Sequence, residues 1–227
     1  MDFIIDGKGV DIKQVNTELG DEFIVDIPKG YFFLDTVFSK FPDNSFLCKS
    51  VAGVGGTYLA ITNHEDYVIA GSSVELISNK TDRHDNLIGV CGDMSIPDIE
   101  HLIIQHRYLY GVVKIITTYD SLPKVTKALG NSVSNFKLLV DELQVLLKAS
   151  DNFKPSVVNL LFKQVPLYKS VCFMTATPTP RKYFPPEVAN LKYYRINWGG
   201  SEEMLIKKSK VAGDMTSKVT AIALHHL

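Results

Sequence analysis

The chain has 227 residues, of which 45% are hydrophobic and 22% charged, and this composition excludes a largely disordered protein. A formal net charge of −1 excludes a protein that coats nucleic acid through bulk positive charge, although a local basic groove stays compatible with it. The three cysteines lie far apart without a Cys-x-x-Cys pair, which argues against a zinc site or a disulfide framework. Neither a signal peptide nor an apolar run of membrane-spanning length is recognisable, so we expect a protein of the cytoplasm.

The elements predicted in chain order divide the sequence into three parts. Residues 1–44 are predicted to form short strands and turns that pack on the core. In residues 45–198, short apolar runs alternate with longer amphipathic segments, which is typical of a parallel sheet with crossover helices. The predicted strands are 45–49, 67–70, 87–91, 112–117, 136–140, 170–174 and 191–198, and the predicted helices are 57–62, 73–80, 97–110, 121–129 and 155–164. Residues 199–227 are expected to be a C-terminal extension or the start of a linker to a second lobe.

The predicted strand 45–49 is followed by a glycine-rich turn, Gly53-Val54-Gly55-Gly56-Thr57. Glycines let backbone N–H groups turn toward a phosphate, and the threonine hydroxyl can bind Mg²⁺. Phosphate loops of this kind normally carry a lysine where this chain has Gly56, so a plain tight turn between strand and helix is the alternative. Lys49, at the end of the incoming strand, could bend back to supply the missing charge, or it could simply reach solvent.

Polar residues also end two later strands. The apolar run 136–140 is followed by Asp141 and Glu142, of which the first could hold Mg²⁺ and the second could polarise an attacking water. The run 170–174 is followed by Thr175-Ala176-Thr177, whose hydroxyls could link a nucleotide site to a neighbouring groove. Because the carboxyl ends of parallel strands meet at one edge of a sheet, we expect all three motifs to gather there.

In this order the motifs resemble the first RecA-like lobe of superfamily 2 helicases and translocases, the DEAD/DEAH-like group. Residues 50–57 correspond to motif I (Ala-x-Thr-Gly-x-Gly-Lys-Thr), 141–144 to motif II (Asp-Glu-x-His or Asp) and 175–177 to motif III. Residues 70–76 stand where the family has motif Ia, and residues 117–122 resemble the Thr-Tyr-Asp-Ser-Leu segment of motif Ib. The resemblance covers about residues 45 to 180, and the lysine-less Gly-x-Gly-Gly-Thr loop also resembles helicase-like proteins of tailed phages, for which the compartment would be the host cytoplasm.

The resemblance implies an α/β fold of the P-loop NTPase (RecA-like) type, a three-layer sandwich with a mostly parallel central sheet. It implies ATP and Mg²⁺ as cofactors, phosphate binding by Gly53, Val54, Gly55, Gly56 and Thr57, and Mg²⁺ held by Thr57 and Asp141. Lys49 joins the phosphate-binding residues only through the hypothesis, made from its position, that it replaces the missing lysine. Asp141 and Glu142 would be catalytic, Thr175 and Thr177 would couple the site to a groove, and Ser72, Ser73, Thr118 and Tyr119 would contact nucleic acid, single-stranded DNA or RNA. The second lobe of the family, with its arginine finger, does not fit in this length, so we expect hydrolysis only with a second lobe or partner protein.

Two departures from the family pattern keep other functions open. Gly56 replaces the motif I lysine, and Gln144 replaces the last residue of motif II. The main alternative is therefore a non-catalytic helicase-like scaffold or nucleic-acid-binding module. A small-molecule kinase on a P-loop fold is the third candidate, but such enzymes keep the loop lysine.

Overall fold

The computed structural model describes residues 2–18, 20–148, 155–177, 181, 184 and 186–199. In this part of the chain nine strands form one sheet. They are β1 (Asp11–Thr17), β2 (Gly20–Ile27), β3 (Ser45–Cys48), β4 (Tyr67–Gly71), β5 (Leu87–Val90), β6 (Lys114–Thr118), β7 (Lys137–Val140), β8 (Ser170–Thr175) and β9 (Lys192–Trp198). The helices are α1 (Gly56–Thr62), α2 (Val74–Thr81), α3 (Ile96–Tyr110), α4 (Leu122–Leu129), α5 (Leu143–Lys148), α6 (Pro155–Gln164) and α7 (Pro186–Ala189).

The sheet is mixed but mostly parallel, with the strand order β1-β2-β9-β3-β8-β7-β4-β6-β5. Every neighbouring pair is parallel except β1 and β2, which form an antiparallel pair. Because β9 lies between β2 and β3, the last described strand joins the N-terminal pair to the rest of the sheet. The expected α/β class and mostly parallel sheet are therefore confirmed.

Helices cover both faces of the sheet. Alternate residues of β7 enter different core clusters, with Leu138 and Val140 in one and Leu139 in the other. The first cluster includes residues of α3, α4 and α6, such as Val125 and Leu161. The second includes residues of α1 and α2 together with Phe3, Leu34, Val37, Phe38 and Phe41 from the N-terminal segment.

Local sequence explains where several helices begin and end. The Ser73 side chain accepts a hydrogen bond from the backbone N–H of Leu76 and so caps α2. Ser95 caps α3 in the same way through the N–H of Asp98, and Gly111, with φ 74°, ends that helix in a left-handed conformation. Among the described helices, none is both long and apolar enough to cross a membrane.

The predicted strands and helices agree with the structure to within about two residues at most ends. Helices α5 and α7 were not predicted, and the N-terminal strands were expected only as unspecified strands and turns. The expected C-terminal extension lies outside the described residues apart from Gly199.

Candidate functional site

The three sequence motifs come together because β3, β8 and β7 are neighbours in the sheet. All three strands run in the same direction, so the segments that follow them lie at one edge. The backbone N–H of Lys49 donates to the carbonyl of Thr175 at 2.9 Å, which continues the pairing of β3 and β8 up to the start of the glycine loop.

The glycine loop needs backbone conformations that most side chains disfavour. Gly53 and Gly55 have φ values of 77° and 78°, in the left-handed region where glycine carries no Cβ penalty. Ser50 also has a positive φ, 61°, and its hydroxyl donates to the carbonyl of Ile196 at 2.7 Å. The carbonyl of Val54 accepts from the backbone N–H of Leu34 at 2.9 Å, so the N-terminal segment is bonded to the loop.

Thr57 and Asp141 are in direct contact although 84 positions separate them. The Thr57 hydroxyl donates to Asp141 Oδ2 at 2.8 Å, and both residues are buried. The other carboxylate oxygen, Oδ1, accepts from the backbone N–H of Glu142 at 2.9 Å. These bonds fix the orientation of the carboxylate at the end of β7, beside the first turn of α1.

A hydroxyl oxygen next to a carboxylate is a donor set that suits Mg²⁺. Mg²⁺ is usually held by one or two protein carboxylates together with substrate phosphates and water, because it gives up its hydration shell reluctantly. Among the described residues, no group of three or more histidine, cysteine or acidic side chains is placed to hold a metal ion. Thr57 and Asp141 therefore fit Mg²⁺ bound together with a phosphate ligand.

Lys49 lies inside the site and not in solvent. Its exposed fraction is 9%, and its Nζ is 3.8 Å from Asp141 Oδ1. The backbone carbonyl of Lys49 accepts a hydrogen bond from Trp198 Nε1 at 2.8 Å, which anchors the end of β3 to the end of β9. The strand-end lysine thus brings a positive charge to the Thr57–Asp141 pair.

Glu142 stands next to this pair in a conformation that is uncommon for its residue type. Its φ is 57°, in the left-handed region, and its Oε2 accepts a hydrogen bond from the Ser72 hydroxyl. Ser72 follows β4, the strand beside β7, so a second strand end helps to hold the carboxylate. The sequence alone assigned Ser72 to a nucleic-acid groove and did not predict this contact.

The third motif is bonded to the second through Gln144. Thr175 is buried, and its hydroxyl donates to Gln144 Oε1 at 2.6 Å. The same oxygen of Thr175 accepts from the backbone N–H of Thr177 at 3.0 Å, and the Thr177 side chain is exposed. The sequence indicates Gln144 only as a departure from the motif II pattern. Its polar amide is the one sequence feature that is consistent with the hydrogen bond to Thr175.

The four residues expected at a nucleic-acid groove do not form one exposed surface. Ser73 caps α2, and Thr118 is buried with its hydroxyl bonded to that of Ser121 at 3.1 Å. Tyr119 is only 2% exposed, its hydroxyl donates to the backbone carbonyl of Asp141, and burial raises its pKa. Neither Thr118 nor Tyr119 therefore offers its polar group at the surface. Tyr119 instead holds the backbone of Asp141 at the end of β7.

An open cavity of about 370 Å³ adjoins the glycine loop. Its lining residues are Phe33, Asp35, Thr36, Gly55 and Tyr58, and we call it the aromatic cavity. Phe33 and Tyr58 are 52% and 40% exposed, so both side chains are accessible to a ligand. The sequence did not reveal this cavity, because its two walls come from segments about twenty residues apart that meet only in the fold.

Comparison of the sequence with protein-family models and with curated proteins found no match to this chain.

Proposed function

We propose that this chain is a nucleotide-binding domain that holds ATP and Mg²⁺ at the edge formed by β3, β8 and β7, and that it acts as the motor lobe of a helicase-like ATPase. The contact between Thr57 and Asp141 is the observation that carries this proposal. It joins the end of the glycine loop to the first acid of the second motif, where a phosphate-bound Mg²⁺ requires both groups. A P-loop fold of the RecA-like type is part of the same proposal.

The backbone N–H groups of residues 53–56 would bind the phosphates, and Thr57 and Asp141 would hold the metal ion. When bound, Mg²⁺ would neutralise charge on the phosphate oxygens. Glu142, fixed by Ser72, would accept a hydrogen bond from the attacking water and take up its proton. The water oxygen would bond to the γ-phosphorus as the bond to the β–γ bridging oxygen breaks, leaving ADP and inorganic phosphate.

The aromatic cavity supports a nucleotide over a simple phosphate as the ligand. Its volume of about 370 Å³ lies within the usual range of small-molecule sites, about 300–1,000 Å³. Phe33 and Tyr58 would stack on the flat base, and Asp35 and Thr36 are the polar residues of the lining. The cavity shares Gly55 with the loop, so one ligand could reach both.

Hydrolysis is expected to be slow for this chain alone. In related phosphoryl transfers an arginine supplied by a second lobe or partner contributes about 10³–10⁵ in rate. A second RecA-like lobe and single-stranded nucleic acid are therefore the proposed partners. Thr175, bonded to Gln144, would be the route by which the site senses them.

The test is calorimetric titration with ATP, with and without Mg²⁺, followed by an ATPase assay with and without single-stranded nucleic acid. Wild type is expected to bind ATP more tightly with Mg²⁺ than without it, and Asp141→Asn is expected to lose that difference. Asp120→Asn is the matched control, because Asp120 is an exposed acid that follows the nearby strand β6. Glu142→Gln should keep ATP binding but lower any turnover by about 10²–10⁴-fold.

A scaffold without catalysis is the second candidate. It is favoured by Gly56, which stands where phosphate loops normally carry a lysine. Absence of binding at millimolar ATP would support the scaffold and contradict the proposed nucleotide site. ATP binding without turnover, with turnover appearing when a second lobe or nucleic acid is added, would support the proposed motor lobe.

A further inference from the structure

The side-chain space at position 56 is already occupied by other residues. A Cβ atom built on Gly56 would lie 2.5 Å from Met174 Sδ and 2.6 Å from Met174 Cε. Contacts this short do not occur between real atoms, so Met174 would have to move to admit any side chain. Met174 is fully buried in β8, so the flexible end of its side chain would have to repack among core residues.

The constraint on a side chain at position 56 comes from Met174 and not from the backbone conformation. Gly56 is the first residue of α1, and its φ lies outside the left-handed region, unlike those of Gly53 and Gly55. A larger residue at this position would therefore be unstrained in its backbone. The lysine that a phosphate loop normally carries here would therefore displace the end of the Met174 side chain.

Lys49 brings its ammonium group close to the same place. Its Nζ lies 3.4 Å from the position of the Gly56 Cβ and 3.8 Å from Asp141 Oδ1. A separation of 3.8 Å is an ion pair without a hydrogen bond, so the ammonium can still donate to another oxygen. Its burial means that little water screens this charge.

We propose that Lys49 is the residue that contacts the β- and γ-phosphates of the bound nucleotide, in place of the absent loop lysine. The inference rests on the proposed nucleotide site and adds to it the source of the positive charge. Backbone bonds hold the base of the side chain, since Lys49 donates to Thr175 and accepts from Trp198. Because Gly56 has no side chain, the ammonium can lie 3.4 Å from the place where a Cβ atom would stand.

The direct test compares binding of a non-hydrolysable ATP analogue with binding of AMP, both with Mg²⁺, by calorimetry. Lys49→Met keeps the apolar stem and removes the charge, and we expect it to bind the ATP analogue about 10- to 100-fold more weakly. AMP has no β- or γ-phosphate, so its affinity should change less than threefold. Lys49→Arg should stay within about tenfold of wild type for the analogue. Lys192→Met is the matched control, because Lys192 is exposed at the other end of the neighbouring strand β9.

The possible outcomes separate this inference from the proposed function. If wild type binds neither ligand, the proposed nucleotide site is wrong and the role of Lys49 falls with it. If wild type binds the analogue and Lys49→Met binds it equally well, the site stands and the role of Lys49 is wrong. The role of Lys49 would also be wrong if Lys49→Met lost as much affinity for AMP as for the ATP analogue, because AMP lacks the phosphates that Lys49 is proposed to contact. Lys49→Gln serves for the same comparison if the methionine variant does not fold.

Variants with a lysine at position 56 test whether the side-chain space there is restricted. Gly56→Lys alone should weaken binding of the ATP analogue, since Met174 and Lys49 occupy the space of the new side chain. The triple change Gly56→Lys, Met174→Ala and Lys49→Met opens that space and removes the competing charge, and it should bind the analogue more tightly than Lys49→Met does. Wild-type affinity in the Gly56→Lys single variant would show that the space is not restricted and would overturn this part.

Discussion

Glu142 combines a proposed catalytic carboxylate with a strained backbone. A left-handed conformation costs about 1–2 kcal/mol for a residue with a Cβ atom, and φ at Glu142 is 57°. Strain of this kind persists where surrounding contacts impose it, and here Ser72 and Asp141 both bond to the residue. The carboxylate is thus held in place at the expense of local stability.

We predict that Glu142→Gly is more stable than Glu142→Ala by about 1 kcal/mol, although both lack the carboxylate. Both variants lose the bond to Ser72, so the comparison isolates the backbone conformation. Urea unfolding followed by circular dichroism measures the difference in the free energy of unfolding. If the alanine variant is as stable as the glycine variant or more so, Glu142 is not strained in the folded protein.

At this scale the sequence indicated which residues matter but not how their side chains are arranged. Thr57 could be found because it follows a glycine turn. Asp141 and Glu142 could be found because the pair follows an apolar strand. The inward direction of Lys49 and the bond from Thr175 to Gln144 depend on packing between elements that are distant in sequence. Local patterns carry no information about such contacts.

At the scale of elements, Lys114 fastens α1 to the sheet. It is the first residue of β6 and fully buried, and its ammonium donates to the carbonyl of Ala60, to Asn63 Oδ1 and to the carbonyl of Glu65. These acceptors lie in and after the last turn of α1, where helix carbonyls lack partners within the helix. The lysine therefore completes the C-terminal end of the helix that begins at the glycine loop.

We expect Lys114→Met to lower the free energy of unfolding by about 1–3 kcal/mol, because it leaves buried acceptors without their donor. Lys192→Met, at the exposed start of β9, should change it by less than about 0.5 kcal/mol. Chemical denaturation of the two variants and wild type provides the measurement. A Lys114→Met protein as stable as wild type would show that methionine packing compensates for the lost bonds.

The elements themselves were largely predictable, while their order in the sheet was not. Buried parallel strands such as β4 and β7 are short apolar runs, and serine or proline at the start and glycine at the end delimited α3 and α4. Helices α5 and α7 escaped prediction because they are only six and four residues long, too short to show a helical period. Nothing in a local pattern specifies that β9 pairs with both β2 and β3.

For the whole molecule, the N-terminal segment belongs to the same core as the motif-bearing strands. Phe38 is buried among residues of α1 and the sheet, while Phe32, six positions earlier, is 71% exposed. Phe38→Ala is predicted to lower the free energy of unfolding by about 3–5 kcal/mol within one cooperative transition. Phe32→Ala should change it by less than about 0.5 kcal/mol.

Thermal unfolding followed by calorimetry tests this prediction. One shifted transition for Phe38→Ala is expected if the segment and the sheet fold together. Two transitions, of which only the smaller responds to the substitution, would mean that residues before 45 form a separate unit.

The position of β9 also determines the order in which the chain can assemble during translation. Strands β2 and β3 leave the ribosome early, but the strand that pairs with both is made about 145 residues after β3 begins, at residues 192–198. Until then each presents an unpaired edge, which is a hazard for aggregation in a nascent chain. Strand β9 also carries Trp198 and Ile196, the partners that hold Lys49 and Ser50, so the candidate site can reach its final geometry only after β9 has been synthesised.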